Sequence, residues 1–444
     1  MERPDTRSPS LSRRGLLGGV AGLAASTGLP GAAGAGGPDL SVMTRNLYVG
    51  VDLFRLFEAR SIADVRRIAG QLLVELASHP FSARAEAIAA EVAASDPDVV
   101  AVQEAIDLQT RNLGASDDSS PDTADESPSD TTDDASPDTG AVSVDFLDLL
   151  TASLAARGLS YEVVAETITT DVAVPAAVDG GEVDVRLTDR VALLVRDGIE
   201  TDRSRTGTFE SALSISMEDA DLSVRRGYCL VDVTVDSCEL TVGTTHLESA
   251  DGGRRLEQAR ELLDRLPADG PVVLAGDVNS GPGAETAAYD LLVESFEDAH
   301  STLRTDADGF TCCHATDLQN DDDRLSRRID VVLSRGCLRP VAVERVGADP
   351  ADRLTTEVDG ETVQLWPSDH AGVVASFEVS TSTAPTADAR TRTPTATART
   401  PTTTATTLSH RWGVQPTVSL VGYGSLVALV VLGAAALVRR RLGG

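Results

Sequence analysis

The chain has 444 residues, a length that suits one large domain or two modest ones. Its formal net charge is -31, because 69 acidic residues outnumber 38 basic residues. All of the basic residues are arginine. Such a charge argues against a nucleic-acid partner at ordinary ionic strength, although at about 1 M salt the Debye length is roughly 3 Å and the objection weakens. The lysine-free, acidic composition predicts a halophilic, archaeal source.

The chain opens with the paired arginines Arg13 and Arg14, which precede a mildly apolar stretch rich in Gly and Ala. Small residues follow this stretch, and the whole arrangement is typical of a twin-arginine export signal. We therefore predict that residues 1–37 are a signal segment and that the protein is exported in its folded state.

Residues 38–380 alternate short apolar runs with stretches of helical periodicity, which predicts a folded domain of mixed strands and helices. Strands are predicted at residues 40–44, 99–102, 161–166, 191–195, 224–235, 239–245, 272–275, 329–333 and 372–377. Helices are predicted at residues 61–77, 82–94, 144–157, 254–266 and 284–293.

A segment of different composition interrupts this domain. Residues 115–140 are rich in Asp, Ser, Thr and Pro and have no apolar periodicity, which predicts a disordered acidic insertion at the surface. A calcium-binding loop is the alternative, but the spacing of the carboxylates does not match an EF-hand loop.

The C-terminal part predicts a membrane anchor. Residues 381–412 are rich in Thr, Ala, Pro and Arg, which indicates an unstructured stalk. Residues 418–438 carry no charge, and a helix of this length would span about 30 Å, the thickness of a bilayer core. Three arginines follow directly and place the C-terminus inside. We expect a transmembrane helix here, with the folded domain outside the cell.

Several predicted strands end in polar residues that apolar packing does not require. Asp277 and Asn279 follow the buried strand 272–275; both types are common in turns, but at this spacing they also project together. The corresponding ends of other segments carry Asn46, Glu104, His246, Asp330, Asp369 and His370. Such a set suits a hard, oxygen-ligated cation such as Mg²⁺ or Mn²⁺, and also the attack of water on phosphorus.

Six motifs in chain order resemble the endonuclease/exonuclease/phosphatase superfamily: TRN, VAVQE, TTHLE, AGDVN, RRID and SDH. The resemblance spans residues 40–380. It implies an α/β fold, a four-layer α/β/β/α sandwich in which two mixed sheets lie face to face between outer helices. It also implies hydrolysis of phosphoesters with a divalent metal.

By this resemblance Glu104 is the main metal-binding carboxylate, Asn46 lies beside it at the metal and the phosphate, and Asp369 is a further metal or water ligand. Asp277 is implied either to orient or deprotonate the attacking water or to hold a second metal. Asn279 is implied to contact the phosphate.

The resemblance also assigns two catalytic histidines. His370 is implied to be oriented by Asp330, because a carboxylate on the far side of an imidazole fixes its tautomer and favours its charged form. His246 favours the DNase I-like and neutral sphingomyelinase-like branches, since the exonuclease III-like branch typically has asparagine at that position.

Five cysteines are too few, and odd in number, for a disulfide framework in so long a chain. Cys229 and Cys238 lie in a predicted hairpin and could be cross-strand neighbours, although buried thiols are favoured. Cys312 and Cys313 precede His314, which raises the alternative of a Cys-Cys-His metal site. Two adjacent thiols cannot easily both face one ion, so this alternative is disfavoured.

We expect a surface-anchored, nuclease-like phosphodiesterase that acts as a monomer on DNA or on a phosphodiester head group, with no obligate protein partner. A sphingomyelinase-like lipid phosphodiesterase or a phosphomonoesterase is the alternative within the class. No aromatic-rich hairpin suited to entering a bilayer is visible in the sequence. A non-catalytic surface module is the alternative of another class, but every polar position of the motifs is present.

Overall fold

The computed structural model describes residues 39–59, 61–112, 143–179, 181–217, 220–283, 285–304 and 307–380. The predicted signal, acidic insertion, stalk and transmembrane helix lie outside these ranges and stay predictions. Within these ranges, no helix has the length and apolar character needed to cross a membrane.

The first half of the domain is mixed in strand and helix. In chain order its elements are β1 (Leu40–Asn46), α1 (Ile62–Ala77), α2 (Phe81–Ser95), β2 (Val99–Gln103), β3 (Asp107–Asn112), β4 (Ser143–Asp145), α3 (Phe146–Ala156), β5 (Tyr161–Val178), β6 (Gly181–Arg196) and β7 (Glu200–Thr208). A 3-10 turn, Leu53–Glu58, follows β1.

The second half continues the same mixture. Its elements are β8 (Leu213–Met217), β9 (Ala220–Val224), β10 (Gly227–Val235), β11 (Cys238–His246), α4 (Gly252–Arg265), β12 (Val272–Asp277), α5 (Ala287–Val293), β13 (Glu297–Asp298), α6 (Ala299–Leu303), β14 (Asp330–Arg335), β15 (Leu338–Val346), β16 (Leu354–Val358), β17 (Glu361–Leu365) and β18 (Gly372–Val379). A second 3-10 turn, Pro350–Asp352, precedes β16.

The strands of the described ranges form two large mixed sheets and two small hairpins. The first sheet has the order β15-β18-β1-β2-β6-β3-β4, with β5 also paired to β6, and the second has the order β13-β14-β12-β11-β10-β7. Each sheet contains one parallel pair, β1 with β2 in the first and β11 with β12 in the second, among antiparallel neighbours. The prediction of two mixed sheets in an α/β fold is confirmed.

Alternating apolar residues give each sheet two buried faces. In β12, Val273 and Ala275 face the first sheet and join a core that includes Val42 of β1. The intervening residues of β12, such as Leu274, pack on the helices α4 and α5 instead. On the outer side of the first sheet, a third core is shared with α1, α2 and α3, where Ile88 is fully buried. The layers are therefore helix, sheet, sheet and helix.

A buried arginine ties together the loops at one end of the first sheet. Arg84 of α2 donates to the carbonyl oxygens of Leu47 at 2.7 Å and Tyr48 at 2.9 Å, just after β1. It also donates to the carbonyls of His79 at 3.3 Å and Pro367 at 3.2 Å. Because a guanidinium has five donors in a fixed plane, one side chain can donate to four backbone carbonyls at once.

Two elements of the first half differ from their predicted bounds. The predicted strand 161–166 is the beginning of an 18-residue strand, β5, which pairs with β6 along its whole length. The predicted helix 144–157 begins later, at Phe146, because residues 143–145 pair with β3 and the Asp145 side chain caps the amides of Leu147 and Asp148.

The cysteines of the predicted hairpin are not cross-strand neighbours. Cys229 lies opposite Thr244 in the β10–β11 register and is fully buried. Cys238 instead brings its sulfur to 3.3 Å from the sulfur of Cys337, in the turn between β14 and β15.

The loop after β12 leaves no space for a side chain at Gly281, where a Cβ would overlap the carbonyl oxygen of Arg328. We expect Gly281→Ala to lower the free energy of unfolding by about 1–3 kcal/mol, because overpacking a rigid contact forces the backbone to shift. Chemical denaturation at high salt measures the change. The matched control is Gly252→Ala at the start of α4, where no atom would lie within 4 Å of the new Cβ. Equal stability of the two variants would contradict the predicted close packing.

Candidate active site

The first sheet delivers four of the predicted site residues to one edge. β1 ends at Asn46, and Glu104 directly follows its parallel neighbour β2. Asp369 and His370 directly precede β18, which pairs antiparallel with β1. Ser368 joins the two groups, since its hydroxyl donates to the carbonyl of Asn46 at 2.8 Å and accepts from the amide of His370 at 3.2 Å.

The second sheet contributes the other residues from its facing edge. His246 and Asp277 are the last residues of β11 and β12 and are paired in the parallel register. Asp330 is the first residue of β14 and lies opposite Asp277 in the antiparallel register. All three side chains are buried, so the site is formed where the ends of both sheets meet.

Asn46 links carboxylates of the two sheets at this site. Its side-chain amide donates to Glu104 at 3.1 Å and to Asp277 at 3.2 Å. The side-chain oxygen Oδ1 of Asn46 accepts from the backbone amide of Tyr48 at 2.9 Å, which fixes the orientation of the Asn46 side-chain amide. The second oxygen of Glu104 accepts from the amide of Val49 at 3.1 Å. The two carboxylates are therefore held on either side of one nitrogen.

Two residues of the site have unusual backbone conformations. Glu104 has φ of 53° and Asn279 has φ of 49°, both in the left-handed region that most non-glycine residues avoid. Both side chains are at least nine-tenths buried. Such conformations persist only where surrounding contacts impose them, and they cluster at functional sites.

The loop that follows β12 is braced by side-chain hydrogen bonds. The amide of Asn279 donates to the Oδ1 atom of Asp277 at 2.9 Å, and the Asn279 side chain donates to the carbonyl of Leu247 at 3.0 Å. The loop after β11 is thereby joined to the loop after β12, which positions Asn279 at the edge of the cluster.

His370 is oriented by Asp330, as the sequence predicts. Its Nδ1 atom lies 2.8 Å from the Oδ2 atom of Asp330. Its Nε2 atom is directed away, 4.0 Å from the Oδ1 atom of Asp369. Burial alone would lower the pKa of His370, but the negative charges of Asp330 and Asp369 outweigh burial and raise the pKa to about 10. The imidazole is therefore held as a positively charged donor.

His246 has the opposite electrostatic environment. Its Nδ1 atom lies 3.2 Å from Nη1 of the buried Arg226, which can only donate, so Nδ1 accepts and Nε2 carries the hydrogen. Nε2 lies 3.5 Å from the Oδ2 atom of Asp277. Burial lowers the pKa of His246 well below its ordinary value, and the positive charges of Arg226 and His370 lower it further. His246 is thus neutral.

The carboxylates of the site are crowded and partly unsatisfied. Burial and the negative charge of Asp330 raise the pKa of Asp277 to about 7. Burial likewise raises the pKa of Asp369 to about 7, despite the positive charge of His370. Oδ1 of Asp330 and Oδ1 of Asp369 are buried and have no hydrogen-bond partner among the described residues.

This donor set fits a divalent cation. Asp277, Asp330 and His370 each offer an atom within 4.8 Å of the others, and Glu104 and Asp369 add further buried carboxylates nearby. Oxygen donors of this kind suit Mg²⁺ and Mn²⁺. A cation would also relieve the repulsion that raises the carboxylate pKa values.

The sequence profile of the Endonuclease/Exonuclease/phosphatase family matches residues 68–370, more than half of the chain. The chain belongs to this family. Family membership supports a hydrolase that acts on phosphoester bonds, and enzymes of the family generally depend on divalent metals. None of the curated proteins matches the chain.

Several solved structures are similar to the chain at low sequence identity. A family protein from Leptotrichia buccalis is 14% identical, with 76% of this chain and 99% of that chain covered and a TM-score of 0.43. The mannosyl-6-phosphatase Bt3783 of Bacteroides thetaiotaomicron is also 14% identical, with 76% and 99% covered and a TM-score of 0.44. Truncated Caenorhabditis elegans TDP2 is 15% identical, with 77% and 97% covered and a TM-score of 0.39.

The structure brings together all the residues that the sequence singles out for this family site: Asn46, Glu104, His246, Asp277, Asn279, Asp330, Asp369 and His370. Sequence reasoning missed Arg226, which directly precedes β10 and contacts His246 at the end of the neighbouring strand β11. It also missed Ser368, although the motif SDH contains it, because a serine beside a catalytic pair carries no distinctive signal of its own.

The orientation of His370 by Asp330 can be tested without a substrate. In metal-free Asp330→Asn, the pKa of His370 is expected to fall from about 10 towards its ordinary value of 6.5, because the amide cannot stabilise the imidazolium by charge. A titration of the imidazole followed by NMR measures this value. The control is Asp171→Asn, an exposed carboxylate paired with Arg186, which should leave the His370 titration unchanged. An equally high pKa in both variants would contradict the assignment.

Proposed function

We propose that the protein is a phosphodiesterase that depends on Mg²⁺ or Mn²⁺ and uses paired histidines. The observation that carries the proposal is the convergence of Asn46, Asp277 and His370 from two sheets on one buried cluster, within a family of phosphoester hydrolases. The opposite electrostatic states of the two histidines support a division of labour between them.

Glu104, Asn46 and Asp369 would hold the metal, and the bound cation would stabilise the negative charge that develops on the phosphate. Glu104 suits this role because one of its oxygens is fixed by a backbone amide and the other by Asn46. Asp369 suits it because one of its buried oxygens lacks a hydrogen-bond partner among the residues described.

Asp277 is the proposed acceptor of the proton from the attacking water. A general base is most effective when its pKa lies near the working pH, and the pKa of Asp277 is raised by burial and by Asp330 to about 7. His246 faces Asp277 with its Nε2 hydrogen, so it would position the carboxylate and stabilise its charge. A second metal at Asp277 and Asp330 is the alternative that the same geometry supports.

His370 is the proposed donor to a phosphate oxygen. Asp330 fixes the Nδ1 side of the ring, so that Nε2 is left to donate to the substrate or to the leaving oxygen. Asn279 would contact the phosphate from the loop after β12. A positively charged imidazole stabilises the pentavalent transition state electrostatically and then supplies a proton.

The substrate is proposed to be DNA or a phosphodiester head group. His246 supports a DNase I-like or sphingomyelinase-like branch, and high salt would screen the acidic surface against a polyanion. We further propose that the protein is exported through the twin-arginine signal and anchored as a monomer by residues 418–438, with the catalytic domain outside the cell.

Substitution of either of the two central residues of the proposed mechanism, Asp277 and His370, should nearly abolish turnover. Asp277→Asn and His370→Ala are each expected to lower kcat by about 10²–10⁴-fold, the usual contribution of a positioned acid or base. The assay is a panel of DNA, RNA, a choline phosphodiester and a phosphomonoester at high salt with Mg²⁺ or Mn²⁺. Chelation of the metal should abolish the same activity.

The matched control is His300→Ala, which removes an imidazole from α6, outside the cluster, and should keep near-normal activity. Circular dichroism verifies the fold of each variant. Normal turnover in either central variant, or no turnover of the wild type on any phosphoester with either metal, would refute the proposed function.

Export is tested separately by cell fractionation in a haloarchaeal host. Arg13→Gln combined with Arg14→Gln should leave the protein in the cytoplasm, because twin-arginine transport requires the paired arginines. Arg3→Gln combined with Arg7→Gln removes the same charge upstream of the pair. This control variant should still be exported. Equal surface amounts of both variants would contradict the predicted signal.

A further inference from the structure

The segment that carries Cys312 and Cys313 is fastened beside His370. The amide of Cys312 donates to the carbonyl of Arg327 at 3.0 Å, and the amide of His314 donates to the carbonyl of Asp369 at 2.8 Å. Cys312 also forms isolated β-bridges with Arg327 and His370. The backbone of the segment is therefore held between Arg327 on one side and Asp369 and His370 on the other.

Both sulfurs face the same side of this segment. The Nη2 atom of Arg327 lies 2.9 Å from the sulfur of Cys312 and 3.2 Å from the sulfur of Cys313. The structure joins the two sulfurs in a disulfide. Cys312 is fully buried, whereas Cys313 is partly exposed and so accessible to a solute. The objection that adjacent thiols cannot face one ion does not hold here.

The histidine of this cluster is His370 and not His314. The Nε2 atom of His370 lies 3.9 Å from the sulfur of Cys313, and the three residues offer donor atoms within 4.8 Å of one another. His314 is engaged elsewhere, because its ring stacks on Trp366 and its Nδ1 atom lies 3.1 Å from the Asn320 amide.

We propose that reduced Cys312 and Cys313, together with Nε2 of His370, form a binding site for a thiophilic cation such as Zn²⁺, and that its occupation inhibits the enzyme. Sulfur and nitrogen ligands of one tetrahedral Zn²⁺ lie about 3.6 Å apart, close to the 3.9 Å between Cys313 and His370. Thiolates and imidazole select soft cations, whereas the neighbouring carboxylates select Mg²⁺ or Mn²⁺.

The site exists only in the reduced protein. A phosphine reductant cleaves the Cys312–Cys313 bond, takes up the oxygen of one water to become a phosphine oxide, and leaves two thiols that carry the two protons of that water. Zn²⁺ then binds both sulfurs as thiolates and Nε2 of His370 as neutral imidazole, and it releases three protons to solvent, two from the thiols and one from Nε2 of the imidazolium. In the oxidised protein the two sulfurs remain bonded to each other, so no thiolate is available to the cation.

Inhibition is expected because the cation would bind Nε2 of His370. Asp330 already holds Nδ1 of His370, so Nε2 is the atom proposed to donate to the phosphate. A cation on Nε2 removes that donor. This part of the inference rests on the proposed function, whereas cation binding itself does not.

The test compares oxidised and phosphine-reduced protein in sodium sulfate, since chloride competes for Cd²⁺. Cd²⁺ is the spectroscopic probe, because its bond to thiolate gives an ultraviolet charge-transfer band. The band should appear with one Cd²⁺ per chain only after reduction and should be absent from Cys312→Ser combined with Cys313→Ser. Zn²⁺ should inhibit phosphodiester cleavage by the reduced protein at a concentration at least about tenfold below that needed for the oxidised protein or the variant.

The matched control is Cys238→Ser combined with Cys337→Ser, which removes the other close pair of sulfurs, 3.3 Å apart. This variant should keep both the band and the inhibition. A band that persists without Cys312 and Cys313, or that disappears with Cys238 and Cys337, would overturn the inference. If the serine variant of Cys312 and Cys313 does not fold, the oxidised and reduced wild type still decide, because equal bands in both states exclude the site.

A band that depends on Cys312 and Cys313, without any turnover to inhibit, would support the cation site while refuting the proposed function. Turnover with equal Zn²⁺ sensitivity in both redox states, and no band, would support the proposed function while refuting the cation site. The two proposals therefore fail independently.

Discussion

One side-chain amide holds together two carboxylates that belong to different sheets. Asn46 donates to Glu104 on its own sheet at 3.1 Å and to Asp277 on the facing sheet at 3.2 Å. Most of the contact between the two sheets is apolar packing, which is not directional and would tolerate some sliding, and a few further hydrogen bonds, such as that from Gln103 to Thr244 at 2.9 Å, also cross between them. Hydrogen bonds weaken steeply with distance and angle, so this pair of contacts fixes the relative position of the strand ends. The spacing between the proposed metal carboxylate and the proposed base depends on it.

The same arrangement places several carboxylates out of water in a small volume. Burial raises the pKa values of Asp277 and Asp369, and the charged His370 compensates only part of the repulsion. Isolated buried charges are costly, and truncating one partner of a buried pair usually destabilises a protein. Backbone amides, Asn46 and the histidine supply some of the missing partners. A divalent cation would supply the remainder, so metal binding and folding stability are expected to be coupled at this site.

The sequence predicts the site better than it predicts the sheet that carries half of it. Asp277 and Asn279 follow a short, fully apolar run, so the change from apolar to polar residues marks them in the sequence pattern. The long strands β5 and β6 are different: exposed residues alternate irregularly along them and register shifts interrupt their pairing. Long-range contacts are equally invisible in a single sequence. Arg226 binds His246 only because β10 and β11 pair, and Cys313 meets His370 only because a loop returns beside β18.

Arg84 provides a second reason, besides salt adaptation and base composition, why a basic residue of this chain is arginine and not lysine. Salt adaptation and base composition act on every exposed position alike, and at such positions drift between arginine and lysine has little effect. At position 84 the planar guanidinium serves four carbonyls in three separate loop segments, and a single ammonium group with three donors cannot reach them all. Purifying selection on interior arginines should therefore persist in relatives from dilute environments, even where their surfaces have regained lysine. Interior and surface positions would then evolve under separate rules within one domain.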